Sequence, residues 1–120
     1  MKISIIVCTK DRLKDLIRFT VSLKNQNLQP DEYIIVDSTT PPVNENEGFC
    51  EITSLYPQLK YYHTQPGLTF QRNYGISVST GEVLFFFDDD IVLDPGYLQI
   101  IIQTFKKHPD FSGGMLQLAR

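Results

Sequence analysis

Val83-Leu84-Phe85-Phe86-Phe87 runs directly into Asp88-Asp89-Asp90. An unbroken apolar run of this length, with no polar alternation, reads as a strand covered on both faces, as in a parallel sheet. The same pattern opens the chain. Ile3-Ser4-Ile5-Ile6-Val7-Cys8 is short, rich in β-branched residues and nearly continuous. It recurs at Tyr33-Ile34-Ile35-Val36, which ends in Asp37, and Leu59 to His63 reads as a further strand. Phe111 to Leu118 is expected to begin a fifth, so that Met115 to Arg120 reads as the middle of a strand.

Helical spacing fills the intervals. Leu13, Leu16, Ile17, Thr20 and Leu23 follow Asp11, which is expected to be the N-cap, and Pro30 closes that unit. Ser38 to Gly48 reads as a loop, and Phe49 to Tyr56 as a short helix stopped by Pro57. A helix is expected from near Thr69 to about Thr80, with Gly81 ending it in a left-handed conformation. Asp94-Pro95 reads as N-cap and first helical position of another helix. Its apolar face is Leu98, Ile101, Ile102 and Phe105, and Lys106, Lys107 and His108 suit its C-terminal dipole. Strands alternating with helices imply an α/β fold with a mostly parallel sheet and helices on both faces. Ligands bind such sheets beyond the carboxyl ends of the strands. Those ends carry Thr9-Lys10-Asp11-Arg12, Asp37-Ser38 and Asp88-Asp89-Asp90.

Composition narrows the function classes. A length of 120 residues suits one domain. Eleven Lys and Arg stand against 14 Asp and Glu, and no basic run exceeds Lys106-Lys107, so there is no patch for a nucleic acid. Cys8 and Cys50 belong to no Cys/His cluster, which argues against zinc and for a reducing compartment. The apolar N-terminus is too short for a signal peptide, and no run approaches the ~20 apolar residues of a membrane span. The expected location is the cytoplasm, free or peripheral at the inner membrane face.

Three adjacent carboxylates repel one another at a low-dielectric strand end. A hard divalent cation with oxygen ligands, Mg2+ or Mn2+, would relieve that repulsion and would retain waters and ligand phosphates in its shell. In extended backbone Asp88 and Asp90 would share a face, with Asp89 opposite. The competing reading is a solvated acidic turn. Asp37 could accept from a ribose hydroxyl or a base N–H, or simply form the turn before Ser38-Thr39-Thr40-Pro41. Arg72 could reach a phosphate or base edge, or lie exposed on the surface. Gly75 inside its helix costs about 1 kcal/mol relative to Ala, which a close packing contact would justify. His63 and His108 read as structural. Neither G-x-G-x-x-G nor G-x-x-x-x-G-K-[ST] occurs, which argues against a dinucleotide enzyme or a P-loop NTPase.

Four pieces of the chain, in order, resemble a family 2 glycosyltransferase of GT-A fold. They are Ile3 to Arg12, Tyr33 to Ser38, Gly67-Leu68-Thr69-Phe70-Gln71-Arg72-Asn73-Tyr74-Gly75-Ile76, and Thr80 to Asp90. The resemblance implies that residues 1–120 are the N-terminal, nucleotide-sugar-binding part of such an enzyme. Thr9 and Asp37 match positions that contact the base and ribose, with Asp11 and Arg12 beside them, and Arg72 matches one near the base or diphosphate. Asp88, Asp89 and Asp90 match the DxD-type motif, in which Asp90, with Asp88, would hold Mn2+ or Mg2+. The implied reaction is inverting transfer from a nucleoside diphosphate sugar, a UDP-sugar first, to a saccharide or lipid-linked acceptor in polysaccharide biosynthesis. The acceptor site and the carboxylate base of this longer family lie in its later half, so no residue here is assigned as the base. Gln71 departs from the family's usual small residue. Two other readings compete: a nucleotide-sugar-binding domain without turnover, and a receiver-like or phosphatase-like domain with clustered Asp. The latter places an Asp directly after the first strand, where this chain has Cys8-Thr9.

Overall fold

The computed structural model describes residues 1–107 and the backbone of a short strand at 115–117. Five strands form one parallel sheet: β1 (Ile3–Thr9), β2 (Glu32–Asp37), β3 (Lys60–His63), β4 (Val83–Asp88) and β5 (Met115–Gln117). Their order across the sheet is β3-β2-β1-β4-β5. Four α-helices connect them: α1 (Leu13–Lys24), α2 (Cys50–Leu55), α3 (Leu68–Val78) and α4 (Tyr97–Lys107). The rest of the expected fifth strand, and His108, lie outside the described residues.

Alternation along β1 splits the core in two. Ile3, Ile5 and Val7 point to one face, where they pack with Leu16, Phe19 and Leu23 of α1, Ile52 of α2, and Leu98 and Ile102 of α4. Ile6 points to the other face with Ile34, Val36 and Phe86, joined by Tyr74 and Val78 of α3. Both faces of β1 are therefore dry, which is why its sequence does not alternate. Gly75 explains itself here: a Cβ would lie 2.6 Å from Ile6 Cγ2, so α3 reaches the sheet only without one.

Three expected helix ends differ. Arg12, not Asp11, is the N-cap of α1, with no side-chain cap bond. Asp11 adopts φ 59 and its backbone N–H donates to Thr39 Oγ1 at 2.8 Å, so the turn serves the neighbouring loop rather than the helix. Helix α3 ends at Val78 with Ser79 extended, and Gly81 is not left-handed. Gly81 is instead required by close approach, since a Cβ there would meet Ser4 N at 2.9 Å. Helix α4 begins at Tyr97, whose N–H donates to Asp94 O, so Asp94-Pro95-Gly96 forms a turn before it. The loop that begins at Ser38 carries a 3-10 turn at Val43–Glu45, and a second, Glu47–Phe49, runs past Gly48 to the start of α2.

At the amino ends of the strands Glu32 is buried and closes a polar cluster. It accepts from Ser4 Oγ at 2.6 Å, from Thr80 N at 2.9 Å and from Lys60 Nζ. Burial alone would raise its carboxyl pKa. The bonds from Lys60, Ser4 and Thr80 together outweigh burial and bring it from 4.5 down to about 2. A carboxylate depressed in this way stabilises the fold fully above pH 4.5 and loses that contribution as pH falls towards 2. Melting temperature is therefore expected to fall more steeply between pH 5 and pH 2 in the wild type than in Glu32→Gln. Gly75→Ala is expected to cost about 1–3 kcal/mol by overpacking, measurable by urea denaturation.

Candidate functional site

The order β3-β2-β1-β4-β5 reverses direction between β1 and β4. Crossovers leave to one side from β1 and to the other from β4, so their carboxyl ends open a crevice. Registry fixes what stands there. Cys8 pairs with Asp88 across the β1–β4 ladder, so the residues just beyond, Thr9 and Asp89, are neighbours. A cleft of about 450 Å³ opens at this point, lined by Cys8, Thr9, Lys10, Arg12, Leu68, Gln71, Asp88, Asp89 and Asp90.

The three carboxylates are not equivalent. Asp88 and Asp90 are exposed, whereas Asp89 is buried at 7% exposure. Asp89 accepts from Thr9 Oγ1 at 2.7 Å and lies 3.6 Å from Arg12 Nη1. The same guanidinium nitrogen lies 3.4 Å from Asp90 Oδ2. Burial raises the Asp89 carboxyl pKa. Thr9 and Arg12 pull it back, while Asp90 and Asp15 push it up again. Cys8, half-buried beside this charge, is pushed up to about 11, first by burial and then by Asp89 and Asp88, against the opposing pull of Arg72. Its thiol is thus held protonated and is no nucleophile.

Among the described residues no three His, Cys, Asp or Glu side chains converge to hold a metal ion by themselves. Asp89 is held by Thr9, and Arg12 is shared between Asp89 and Asp90, so the cleft offers Asp88 outright and Asp90 once Arg12 turns to a phosphate. That donor set fits Mg2+ or Mn2+, which is commonly held by one or two carboxylates plus ligand phosphates and water. It does not fit a closed all-protein cage.

Of the residues singled out in the sequence, Thr9, Arg12, Asp88, Asp89 and Asp90 meet in this cleft. Asp11 lies next door, in a second depression with Thr39, Pro41, Pro42 and Val43. Arg72 sits half-buried on α3, within electrostatic reach of Cys8. Of the two readings of Asp37, the turn-forming one describes its contacts in this structure. Asp37 is completely buried. One carboxylate oxygen accepts from Thr39 N and Thr39 Oγ1 at 2.9 and 2.6 Å, the other from Val43 N and Tyr61 Oη at 2.8 and 2.6 Å. Four donors fill it, so in this structure Asp37 holds the loop after β2. A ribose or base contact would have to displace one of them.

Gln71 also belongs to the cleft, and sequence reasoning noted it only as a departure from a pattern. Buried at 5% exposure, it donates from Nε2 to Val36 O at 3.0 Å and to Thr9 O at 3.2 Å. The available signal was its spacing: Gln71, Tyr74, Gly75 and Val78 share the inward face of α3, where an uncharged amide must find partners.

The model of glycosyl transferase family 2 matches residues 4–117. The chain is 30% identical over 103 residues to the uncharacterized glycosyltransferase YwdF of Bacillus subtilis, covering 82% of this chain and 36% of that protein. It is 26% identical over 114 residues to a glucosyl-dolichyl phosphate glucuronosyltransferase of Haloferax volcanii, covering 92% and 36%. The chain thus spans about a third of the length of these curated relatives. Among solved structures, S. aureus TarS in complex with UDP superposes with a TM-score of 0.71 at 21% identity, over 91% of this chain and 33% of that one. TarS in complex with UDP-GlcNAc gives 0.69 at 23% identity, over 91% and 32%. At such identity the likeness establishes the fold, which is of GT-A type.

The carboxylates should separate by their roles in stability. Asp37→Asn leaves buried donors facing an amide and is expected to cost about 3 kcal/mol. Asp90→Ala removes an exposed charge from a repelling cluster and is expected to stay within about 0.5 kcal/mol of wild type. Chemical denaturation of the two variants checks the contrast.

Proposed function

The chain belongs to glycosyl transferase family 2, and from that membership we propose that it binds the nucleoside diphosphate part of a sugar donor. The observation that carries the reading is the meeting of Thr9, Arg12, Asp88, Asp89 and Asp90 at the β1–β4 crevice. An acidic triplet alone would repel a diphosphate. Here Lys10 and Arg12 line the same cleft; a phosphate that draws Arg12 away from Asp90 would leave exposed Asp88 and Asp90 to share a divalent ion with it. The complexes of TarS with UDP and with UDP-GlcNAc support a uridine diphosphate sugar as the donor. The name of the Haloferax relative supports a lipid-linked acceptor.

In the whole enzyme, we propose, the acceptor hydroxyl attacks the anomeric carbon with inversion. The bond to the diphosphate oxygen breaks, and its electron pair leaves with the diphosphate. The chain's own contribution is to bind and neutralise that leaving group. Arg12 presents a planar guanidinium whose fork matches phosphate oxygens, and Lys10 adds a second cation. Thr9 fixes Asp89, which in turn orients Arg12. Asp88 and Asp90 would hold Mn2+ or Mg2+, which when bound supplies Lewis-acid stabilisation of the departing oxygen. Transfer also needs a base to take the hydroxyl proton. The two exposed carboxylates of the cleft are assigned to the diphosphate side, so no base is assigned among the described residues.

Calorimetry tests the reading directly. UDP is expected to bind at least tenfold more tightly with Mn2+ than with EDTA, and Asp90→Ala is expected to abolish that difference while keeping the fold. Equal UDP affinity with and without the ion would remove the metal from the mechanism. No binding of UDP, GDP or ADP under any condition would remove the donor site.

A further inference from the structure

The carboxyl ends of β1 and β2 leave carbonyl groups beside the cleft, that of Thr9 within its lining. Two of these are claimed by one side chain from another element. Gln71 enters from the first turns of α3 and donates one N–H to Val36 O at 3.0 Å and the other to Thr9 O at 3.2 Å. Both amide hydrogens are thereby spent. The Thr9 carbonyl also accepts from Ser38 N at 3.0 Å, so it ties β1 to both β2 and α3. The hydroxyl of the same Thr9 donates to Asp89 at 2.7 Å. A sequence of contacts thus runs from α3 through Thr9 to buried Asp89, which lies 3.6 Å from Arg12 Nη1 and shares that nitrogen with Asp90.

Gly75, one turn further along α3, lies against Ile6 of β1. The helix is therefore seated tightly on the sheet, and the amide's position is set by backbone packing rather than by a mobile stem. A small side chain at 71 would remove this donor from Val36 O and would leave Thr9 O with Ser38 N as its remaining partner, loosening the end of β1.

Resting on the donor-site reading above, we infer that Gln71 is a positioning residue of the nucleotide cleft. It locks the ends of β1 and β2 together and, through Thr9, holds Asp89 and Arg12 in the arrangement that receives the diphosphate. In this role its effect on binding passes through Thr9, which is what separates it from a lining residue that contacts the ligand directly.

The test is a double-mutant cycle on UDP affinity in the presence of Mn2+, using Gln71→Met, Thr9→Val and the pair in the full chain, with melting temperature recorded for each. Gln71→Met is expected to raise the Kd for UDP roughly tenfold, the worth of about one buried hydrogen bond. Thr9→Val is expected to do the same, and the double variant to lose no more than about twofold beyond either single one, since both cut one path. A general loosening of the fold would instead lower stability and leave the two losses multiplicative. Gln71→Met binding UDP as the wild type does, or multiplicative losses, would overturn the inference. If Gln71→Met does not fold, Gln71→Asn, which keeps the amide but shortens its reach, is read in its place. If neither folds, Gln71 is a structural strut and the inference fails. Wild-type chain that binds no UDP would overturn the donor-site reading itself, a result visible before any variant is made.

Discussion

The parallel pairing of β1 with both β2 and β4 is the constraint on which the remainder depends. It places the first strand in the centre of the sheet, where both of its faces are dry. It also places the reversal of strand order beside it. Because Cys8 is level with Asp88 and Thr9 with Asp37, the polar residues that follow β1, β2 and β4 emerge at one height and on one edge. A slip of one residue would turn Ile5 and Val7 towards the wrong helix layer and carry Thr9 away from Asp89. The hydrophobic pattern that fixes the register therefore also assembles the cleft.

Charge is distributed unevenly over that framework. At the amino edge Glu32 is sealed by Ser4, Thr80 and Lys60, and at the carboxyl edge Asp37 is sealed by Thr39, Val43 and Tyr61. These two acids are fully partnered within the chain and act as clasps. Asp88 and Asp90 are exposed at the mouth of the crevice. Asp89 is intermediate: buried, partly neutralised by Arg12, and anchored by Thr9. The five acids differ in what their neighbours have already claimed, and that difference separates structural carboxylates from those able to meet a cation or a ligand. No helix among the described residues is long and apolar enough to cross a membrane.

The sheet and its edge were legible in the sequence because they rest on continuous apolar runs, and such runs carry their own signature. The triplet's position after β4 and the presence of Thr9 and Arg12 after β1 follow from the same runs. Gly75 was legible as a packing site because glycine inside a helix is unfavourable unless a close approach requires it. The misread positions depend on partners distant in the chain. Asp11 looked like a cap because its neighbours are helical, yet its N–H is drawn to Thr39, 28 residues away. Gly81 looked like a helix terminator, but Ser4 dictates it. Asp37 was legible as a turn former, but the partners that complete its burial, Tyr61 and Val43, come from the fold. Gln71 was overlooked because an isolated glutamine has no local pattern. Its meaning lies in two carbonyls that no local rule brings together.

The proposed meeting of a nucleoside diphosphate and a divalent ion at the β1–β4 crevice can be mapped residue by residue. A depression lined by Lys24, Tyr56 and Lys60, at the opposite edge of the sheet, provides an internal contrast. Paramagnetic broadening by substoichiometric Mn2+ on the amide resonances, with and without UDP, compares the two directly. Broadening is expected to centre on Thr9, Asp88, Asp89 and Asp90, to deepen when UDP is added, and to spare Lys24, Tyr56 and Lys60. Broadening centred on that opposite edge, or a pattern at the crevice that UDP leaves unchanged, would contradict the proposed meeting.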